Sequence, residues 1–417
     1  MSFSILGTGM YVPPRVVTND DMSKIVDTND EWIMQRVGVK ERHVSTNETA
    51  ADMGAKAALA ALENSGVKKE EIDLILAASV SGESISPSVS CMIQNILGLD
   101  CMTMDINAAC SAFVFTLETA AGFFARGKVK KVLVIGAERL SRIVDWEDRS
   151  TCVIFGDGAG AVVLGEGDNY LDSVFHVKGG DNVIDIPQLI GKSPFYEGEQ
   201  KKPYIHMRGQ DTFKFAVNAI CHDTKYLLKQ NGLTFEDIKY IVPHQANQRI
   251  IDFASVMLKV PKEKFYVNID RYGNTSSASI PIALDEMNRK GMLQKGDLLL
   301  LPAFGGGFHS PFMDEASKEF AEALKAVDVK QPEMTVYSNY TTKPYTAEVR
   351  DLMEKQINHS LRWQESIENM AADGFDTFIE VGVGTTLKKL ISRILPDSKV
   401  YAVSNMEEAR QVAEEVR

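Results

Sequence analysis

Residues 2–11 alternate apolar and small side chains and then meet Pro13-Pro14, a pattern that predicts a strand with a firm stop. Residues 19–36 contain Thr28-Asn-Asp-Glu-Trp-Ile, a helix-start signature with Trp32 near its beginning. Residues 48–65 are alanine-rich at helical spacing and end at Gly66. A continuous apolar run at 71–79 predicts a buried strand, and 111–126 a largely apolar helix stopped by Gly127. Two more strands follow at 131–138 and 159–164. From 169 to 202 the composition turns polar, with Gly179-Gly180 and two prolines, as a surface excursion between two halves would. Alternation then resumes: helix 211–230, strand 237–244, helix 247–258, short strand 266–269, helix 280–289, and a buried strand from 296 into the triple glycine ending at 307. Each half closes on a glycine-rich strand end, which predicts two related α/β halves, 1–170 and 171–307. A third segment, 308–417, carries helices at 314–327 and 347–372 and a strand at 376–381.

The composition narrows the class. Of 417 residues, 44% are hydrophobic and 24% charged, and the net charge is -12, which argues against a nucleic-acid binder. Five cysteines, odd in number and without C-x-x-C or metal spacing, fit a reduced cytoplasmic setting and no metal site. Neither a secretory leader nor an apolar run of membrane-spanning length is read, so no membrane partner is expected.

Chemistry gathers on three segments. In Asp105-Ile-Asn-Ala-Ala-Cys110-Ser-Ala-Phe, Cys110 sits where a turn feeds a helix, and the free N–H groups and dipole there favour a thiolate. His244 in Val242-Pro-His-Gln-Ala-Asn and Asn274 in Tyr272-Gly-Asn-Thr-Ser-Ser-Ala-Ser each stand at a predicted strand end. A cysteine, a histidine and an amide together suggest nucleophilic catalysis. Gly156-x-Gly158-x-Gly160 precedes a strand instead of opening a helix, so close packing is the better reading than a dinucleotide loop. Trp32, four residues before Arg36, is either core or a flat platform with a positive neighbour.

Residues 1–307 closely resemble the β-ketoacyl-acyl-carrier-protein synthase III family of thiolase-like α/β fold. The resemblance rests on Glu31-Trp-Ile-x-x-Arg36-x-Gly, Ala109-Cys-Ser, Phe155-Gly-Asp-Gly-Ala-Gly160, Pro243-His-Gln-Ala-Asn-Gln-Arg249 and Gly273-Asn-Thr-Ser276. It implies a cytoplasmic, homodimeric condensing enzyme that starts fatty-acid synthesis. Such an enzyme joins a short acyl-coenzyme A, acetyl in the first instance, to malonyl-acyl-carrier protein through an acyl-cysteine. It needs no cofactor beyond coenzyme A thioesters as substrate. It implies Cys110, His244 and Asn274 as catalytic residues, and the backbone amides of Cys110 and Gly306 as the oxyanion site. Trp32, Arg36 and Arg149 would meet coenzyme A, while Gln245, Ala246, Asn247, Gln248, Arg249 and Lys214 would meet the acyl-carrier protein.

After the triple glycine the chain departs from that family's usual last strand. Phe308-His-Ser-Pro-Phe-Met, Val336-Tyr-Ser-Asn339, Arg362-Trp-x-x-Ser366 and Phe378-Ile-Glu-Val-Gly-Val-Gly384 resemble the C-terminal part of malonyl-coenzyme A:acyl-carrier-protein transacylases. His309 matches their catalytic histidine, yet no Gly-x-Ser-x-Gly elbow occurs to supply its serine. A bifunctional synthase-transacylase is therefore disfavoured. The alternative to an active synthase is a fusion product that folds and binds carrier protein but condenses poorly. An enzyme acting on coenzyme A substrates alone is a further option that the 245–249 run argues against.

Overall fold

A period-two pattern sorts the first half into layers. Its main strands are Ser2–Tyr11 (β1), Leu74–Ala78 (β2), Met102–Ile106 (β3), Lys131–Glu138 (β4) and Gly158–Gly167 (β5). They form one sheet in the order β1-β5-β4-β2-β3, parallel across β4, β2 and β3 and antiparallel on both sides of β5. Ile75, Leu133, Ile135, Ala161 and Val163 pack with the helices Ala50–Ser65 (α1) and Val89–Leu97 (α2). Leu74, Leu76, Val132, Val134 and Val162 join the opposite core with Ala112–Ala125 (α3). A sheet buried on both faces explains the unbroken apolar runs, each large side chain adding about 1.5–3 kcal/mol. The computed structural model describes residues 2–177, 183–187, 195, 201–305, 324–325, 330, 332, 334–345, 349–358, 362–382 and 385–415.

Local chemistry sets the helix ends. Thr49 and Asp52 form a capping box at the start of α1, and Gly66 closes it in the left-handed conformation. The helix announced by Thr28-Asn29 runs over Asp30–Arg36, and a short helical turn at Asn19–Met22 precedes it. Asn29 starts it: its side chain accepts from Trp32 N. Helix α2 and strand β3 were not foreseen.

The second half meets the first at the glycines. A methyl group at Gly160 would stand 2.5 Å from Ile282 N, and one at Gly136 2.5 Å from Ser277 O. The glycine run thus admits the backbone of the other half, and close packing is its reason, though against a helix instead of a strand.

That half contains Gly209–Gln230 (α4), Tyr240–Ile241 (β6), Gln248–Leu258 (α5), Ser279–Arg289 (α6) and Leu299–Leu300 (β7). The strands predicted over 237–244 and 296–307 shrink to two residues each. They pair in parallel, Tyr240 with Leu299 and Ile241 with Leu300, as β2 pairs with β4. Phe265 bridges Ile241, where β3 stands beside β2. The predicted strand 266–269 is only that bridge, followed by a helical turn at Ile269–Tyr272. β4 has β5 as its other neighbour; among the described residues β7 has no strand there, and residues 171–177 form none. Backbone bonds still extend the ladder past its paired residues, from Lys239 N to Leu298 O at 2.8 Å and from His244 N to Pro302 O at 2.9 Å.

The chain divides into two units, Met1–Ser310 and Pro311–Arg417, so both halves share the first. The second unit holds helices Val349–Asn358 (α7) and Trp363–Ala372 (α8), where one helix over 347–372 was expected. Thr377–Val381 (β8), Thr386–Ile394 (α9) and Lys399–Val403 (β9) make a parallel β-α-β turn, followed by Met406–Glu415 (α10). Ile367, Phe378 and Ile391 form its small core with Trp363 and Met370. The helix expected over 314–327 lies outside the described residues except Leu324 and Lys325, and His309 lies outside them too. No helix among the described residues is long and apolar enough to cross a membrane.

Candidate active site

Cys110 stands in a tight turn, Ala109–Ser111, between the end of β3 and the start of α3. Upstream, Asp105 accepts from Val89 N and Ser90 N, both at 2.8 Å, tying β3 to the start of α2. Ala109 has φ of 48°, a left-handed conformation that costs a residue with a side chain about 1–3 kcal/mol. Ser276, with φ of 50°, opens the turn Ser276–Ala278, which packs against the Cys110 turn. Two strained turns, one from each half, thus meet at the sulfur. Gly305, after β7, closes the third side: a methyl there would lie 2.8 Å from Cys110 N. Gly306, the expected second oxyanion donor, is outside the described residues.

Electrostatics corrects one expectation. The helix mouth was expected to favour a thiolate, but burial outweighs it and pushes the Cys110 thiol up to about 11. Ser276 Oγ works the other way; it is buried, lies beside the sulfur and, among the described residues, has no regular hydrogen-bond partner. At neutral pH the group is a thiol, and its proton must leave during attack.

His244 ends the β6 ladder through its bond to Pro302 O, and its ring meets Phe304 edge-on at 5.2 Å. Its Nδ1 lies 2.7 Å from Ser279 Oγ. Ser279 Oγ also accepts from Gln245 N at 3.3 Å, and among the described residues Nδ1 is the one acceptor in reach of its own proton. That accounting assigns the ring hydrogen to Nε2. Burial pushes His244 down to about 3, so the ring is a neutral donor at working pH and not a base. Asn274 is oriented the same way. Its Oδ1 accepts from Ser276 N at 2.8 Å, which leaves Nδ2–H free to donate. Its backbone accepts from Gly156 N at 3.1 Å and donates to Ile154 O at 2.9 Å, stitching it to the first half.

Cys110 and Asn274 are joined through the packed Ser276 turn, and His244 through Ser279, the residue after it. Ser276 and Ser279 went unassigned in sequence reasoning. Their signal was the serine run after Asn274, which the turn chemistry of Gly-Asn obscured.

A second cluster lies at the Asp30–Arg36 helix. The guanidinium carbons of Arg36 and Arg149 stand 5.4 and 5.0 Å from the Trp32 ring centre. Arg149 is further held by Asp27 O at 2.7 Å. Trp32 is half-buried and both arginines are exposed or nearly so, which favours the platform reading over core.

The 245–249 run divides. Gln245 is buried; its Nε2 donates to Pro243 O and Tyr266 O, and its Oε1 accepts from Asn268 N. All its polar capacity is spent inside the chain, so its side chain cannot contact a carrier protein, which corrects that assignment. Ala246, Asn247 and Gln248 are half-buried. Asn247 caps α5 by accepting from Arg249 N and donates to Arg36 O at 3.0 Å. Gln248 Nε2 reaches Asp252 at 3.3 Å. Arg249 and Lys214 are exposed, Arg249 lying over Phe213 at 5.4 Å with Phe253 edge-on to that ring. Arg249 thus presents a positive charge on an aromatic pair, and Lys214 adds a second exposed charge on the helix that carries Phe213.

Two family models match: "3-Oxoacyl-[acyl-carrier-protein (ACP)] synthase III" at residues 104–180 and its C-terminal part at residues 228–310. Neither extends past residue 310. The β-ketoacyl-[acyl-carrier-protein] synthase III of Clostridium acetobutylicum is 49% identical over 311 residues, 73% of this chain and 96% of that one. Its counterpart in Xanthomonas euvesicatoria is 48% identical over 308 residues, 73% and 95% of the two chains. Among solved structures, the Aquifex aeolicus 3-oxoacyl-[acyl-carrier-protein] synthase III superposes with a TM-score of 0.69 at 43% identity, over 73% of this chain and 97% of that one. Fold, topology and relatives agree, and the chain belongs to the β-ketoacyl-acyl-carrier-protein synthase III family of thiolase-like condensing enzymes in fatty-acid biosynthesis.

Proposed function

We propose that Cys110 takes an acyl group from a short acyl-coenzyme A, acetyl in the first instance, and passes it to malonyl-acyl-carrier protein. In the first step Sγ bonds the thioester carbon, the carbon–sulfur bond to coenzyme A breaks, and the leaving sulfur departs with the thiol proton. The amide of Cys110, with that of Gly306, holds the oxyanion; such a donor is worth about 3 kcal/mol. Malonyl-carrier protein then loses CO2, and the enolate carbon attacks the acyl carbon while Sγ leaves and regains a proton. His244 Nε2–H and Asn274 Nδ2–H donate to the enolate oxygen. Two neutral donors suit this charge, because an imidazolium would first have to be charged in a buried site.

The single observation behind this reading is the proton accounting at Ser279 and Ser276, which turns both side chains into donors beside the Cys110 turn. Trp32 and Arg149 are read as the grip on the adenine of coenzyme A, with Arg36 toward its phosphates. Arg249 and Lys214, with Ala246, Asn247 and Gln248 beneath them, are read as the seat of the acidic carrier protein. β3 is an edge strand with Met102 and Met104 exposed and Ile85 and Ile96 exposed elsewhere in the first half, which supports a homodimer joined there. Five free cysteines support a cytoplasmic setting. For residues 311–417 the reading is a fragment of transacylase origin. Its support is that two of the resembling segments meet, Arg362 N donating to Asn339 O at 3.3 Å, and that Phe378 leads the small core.

A second reading, an impaired fusion product, draws on the short β6-β7 ladder. One experiment separates the two. The protein is incubated with labelled acetyl-coenzyme A, the label is mapped, and malonyl-carrier protein is added. Label on Cys110 followed by 3-ketoacyl product supports the active synthase, and label that stays on Cys110 supports the impaired one. No label on Cys110 sinks the active synthase.

A further inference from the structure

Glu138 ends β4 with no exposed surface, directly under the site. Among the described residues its carboxyl has no ion-pair partner; the guanidinium of Arg139, next in the chain, stands 3.7 Å from Glu83 instead. The titratable group that faces it is Cys110, and Ser276 lies beside both. Around the carboxyl stand only hydroxyls and one amide. Oε2 accepts from Ser81 Oγ, from Val80 N at 3.1 Å and, at longer range, from Ser79 Oγ at 3.4 Å. Oε1 is 2.7 Å from Ser277 Oγ.

Ser277 decides the protonation. Its hydroxyl has one hydrogen and two oxygens in reach, Glu138 Oε1 and Ala78 O at 3.0 Å. If that hydrogen goes to the carbonyl, the short contact with Oε1 needs a hydrogen from the carboxyl. A desolvated carboxylate with no cation is the costly alternative.

We infer that Glu138 is a neutral carboxylic acid in the resting enzyme, donating from Oε1 to Ser277 Oγ, and that it is a positioning residue for the Ser276 turn beside Cys110. The chain runs from Glu138 O–H to Ser277 and from Ser277 O–H to Ala78 O. It fixes the strained turn of the second half on the ends of β2 and β4, where Gly136 admits it. It also keeps one negative charge away from a sulfur that burial already makes hard to ionise. The role rests on the reading of Cys110 as nucleophile, whereas the protonation state does not.

The test combines infrared difference spectra with cysteine chemistry. Wild type minus Glu138→Gln should show the carbonyl stretch of a neutral acid at pH 7, shifted in deuterated water, and Ser277→Ala should move that band. Carboxylate bands in its place, or a band indifferent to Ser277→Ala, overturn the inference. Iodoacetamide alkylation of Cys110 at pH 8 should differ by less than about twofold between wild type and Glu138→Gln. Removing a real charge there would speed it about tenfold or more, which also overturns it. For the positioning role, Glu138→Gln should retain most of the condensation rate while Glu138→Ala loses about tenfold or more. Equal losses in both overturn that role. A Cys110→Ala protein that still condensed would fail the nucleophile reading while leaving the band in place.

Discussion

The two halves of the synthase body build their sheets to different depths. In the first, β4 lies between β2 and β5 in a five-stranded sheet with helices on both faces. In the second, its counterpart β7 is held by β6 alone among the described residues. The proposed nucleophile, Cys110, comes from the complete half, and the proposed donors, His244 and Asn274, from the short one. A reactive sulfur needs little more than a rigid turn and exclusion of water. Donors to a transient enolate must be aimed, and here the aim depends on a few bonds: His244 N to Pro302 O, Ser279 to the ring, and Ser276 N to the amide.

The largest expected break in that comparison is Cys110→Ala. Acylation should vanish and condensation fall by about 10³-fold or more, with the melting temperature nearly unchanged. His244→Ala should separate the halves. Label still reaches Cys110 from acetyl-coenzyme A, while condensation falls by about 10²–10³-fold. Equal loss of both steps would mean that the donors and the nucleophile do not divide the work this way.

Core substitutions sharpen the contrast in stability. Leu76→Ala, in the middle of the complete sheet, should cost about 2–5 kcal/mol in denaturant unfolding. Leu300→Ala, on β7, should cost less stability but depress condensation more, because β7 leads to the carbonyl that holds His244. A smaller effect appears with pH. Folded His244 is neutral down to about 3, while in the unfolded chain it takes a proton near 6.5. The unfolded state therefore binds more protons between those values, and stability falls as pH drops from 6.5 toward 3. His244→Gln should flatten that acid limb, as read by chemical melts at pH 4 and 7. The smallest expected change is at the surface. Arg249→Glu should raise KM for malonyl-carrier protein about fivefold without changing kcat, an effect that fades with added salt.

Much of this was legible in the chain. Apolar runs and glycine stops gave β1, β4, α1 and the helix after Cys110 nearly to the residue, because local pattern and burial agree there. The helix start read at Thr28-Asn29 holds, because the Asn29 side chain caps Trp32 N. The strands expected over 237–244 and 296–307 failed for a non-local reason: a strand exists only as long as its neighbour does. At the site, residue types were readable but protonation was not. Desolvation decides whether Cys110 is a thiol, and no local pattern encodes it. Gln245 likewise sits in a segment that looks like surface, yet its amide is consumed inside.

Gly305 carries a last consequence. With only hydrogen on its α-carbon, it lets the backbone lie on the amide of Cys110, where a methyl would be 2.8 Å away. Any codon change here would push a side chain into the turn that carries Cys110, so the position tolerates glycine alone.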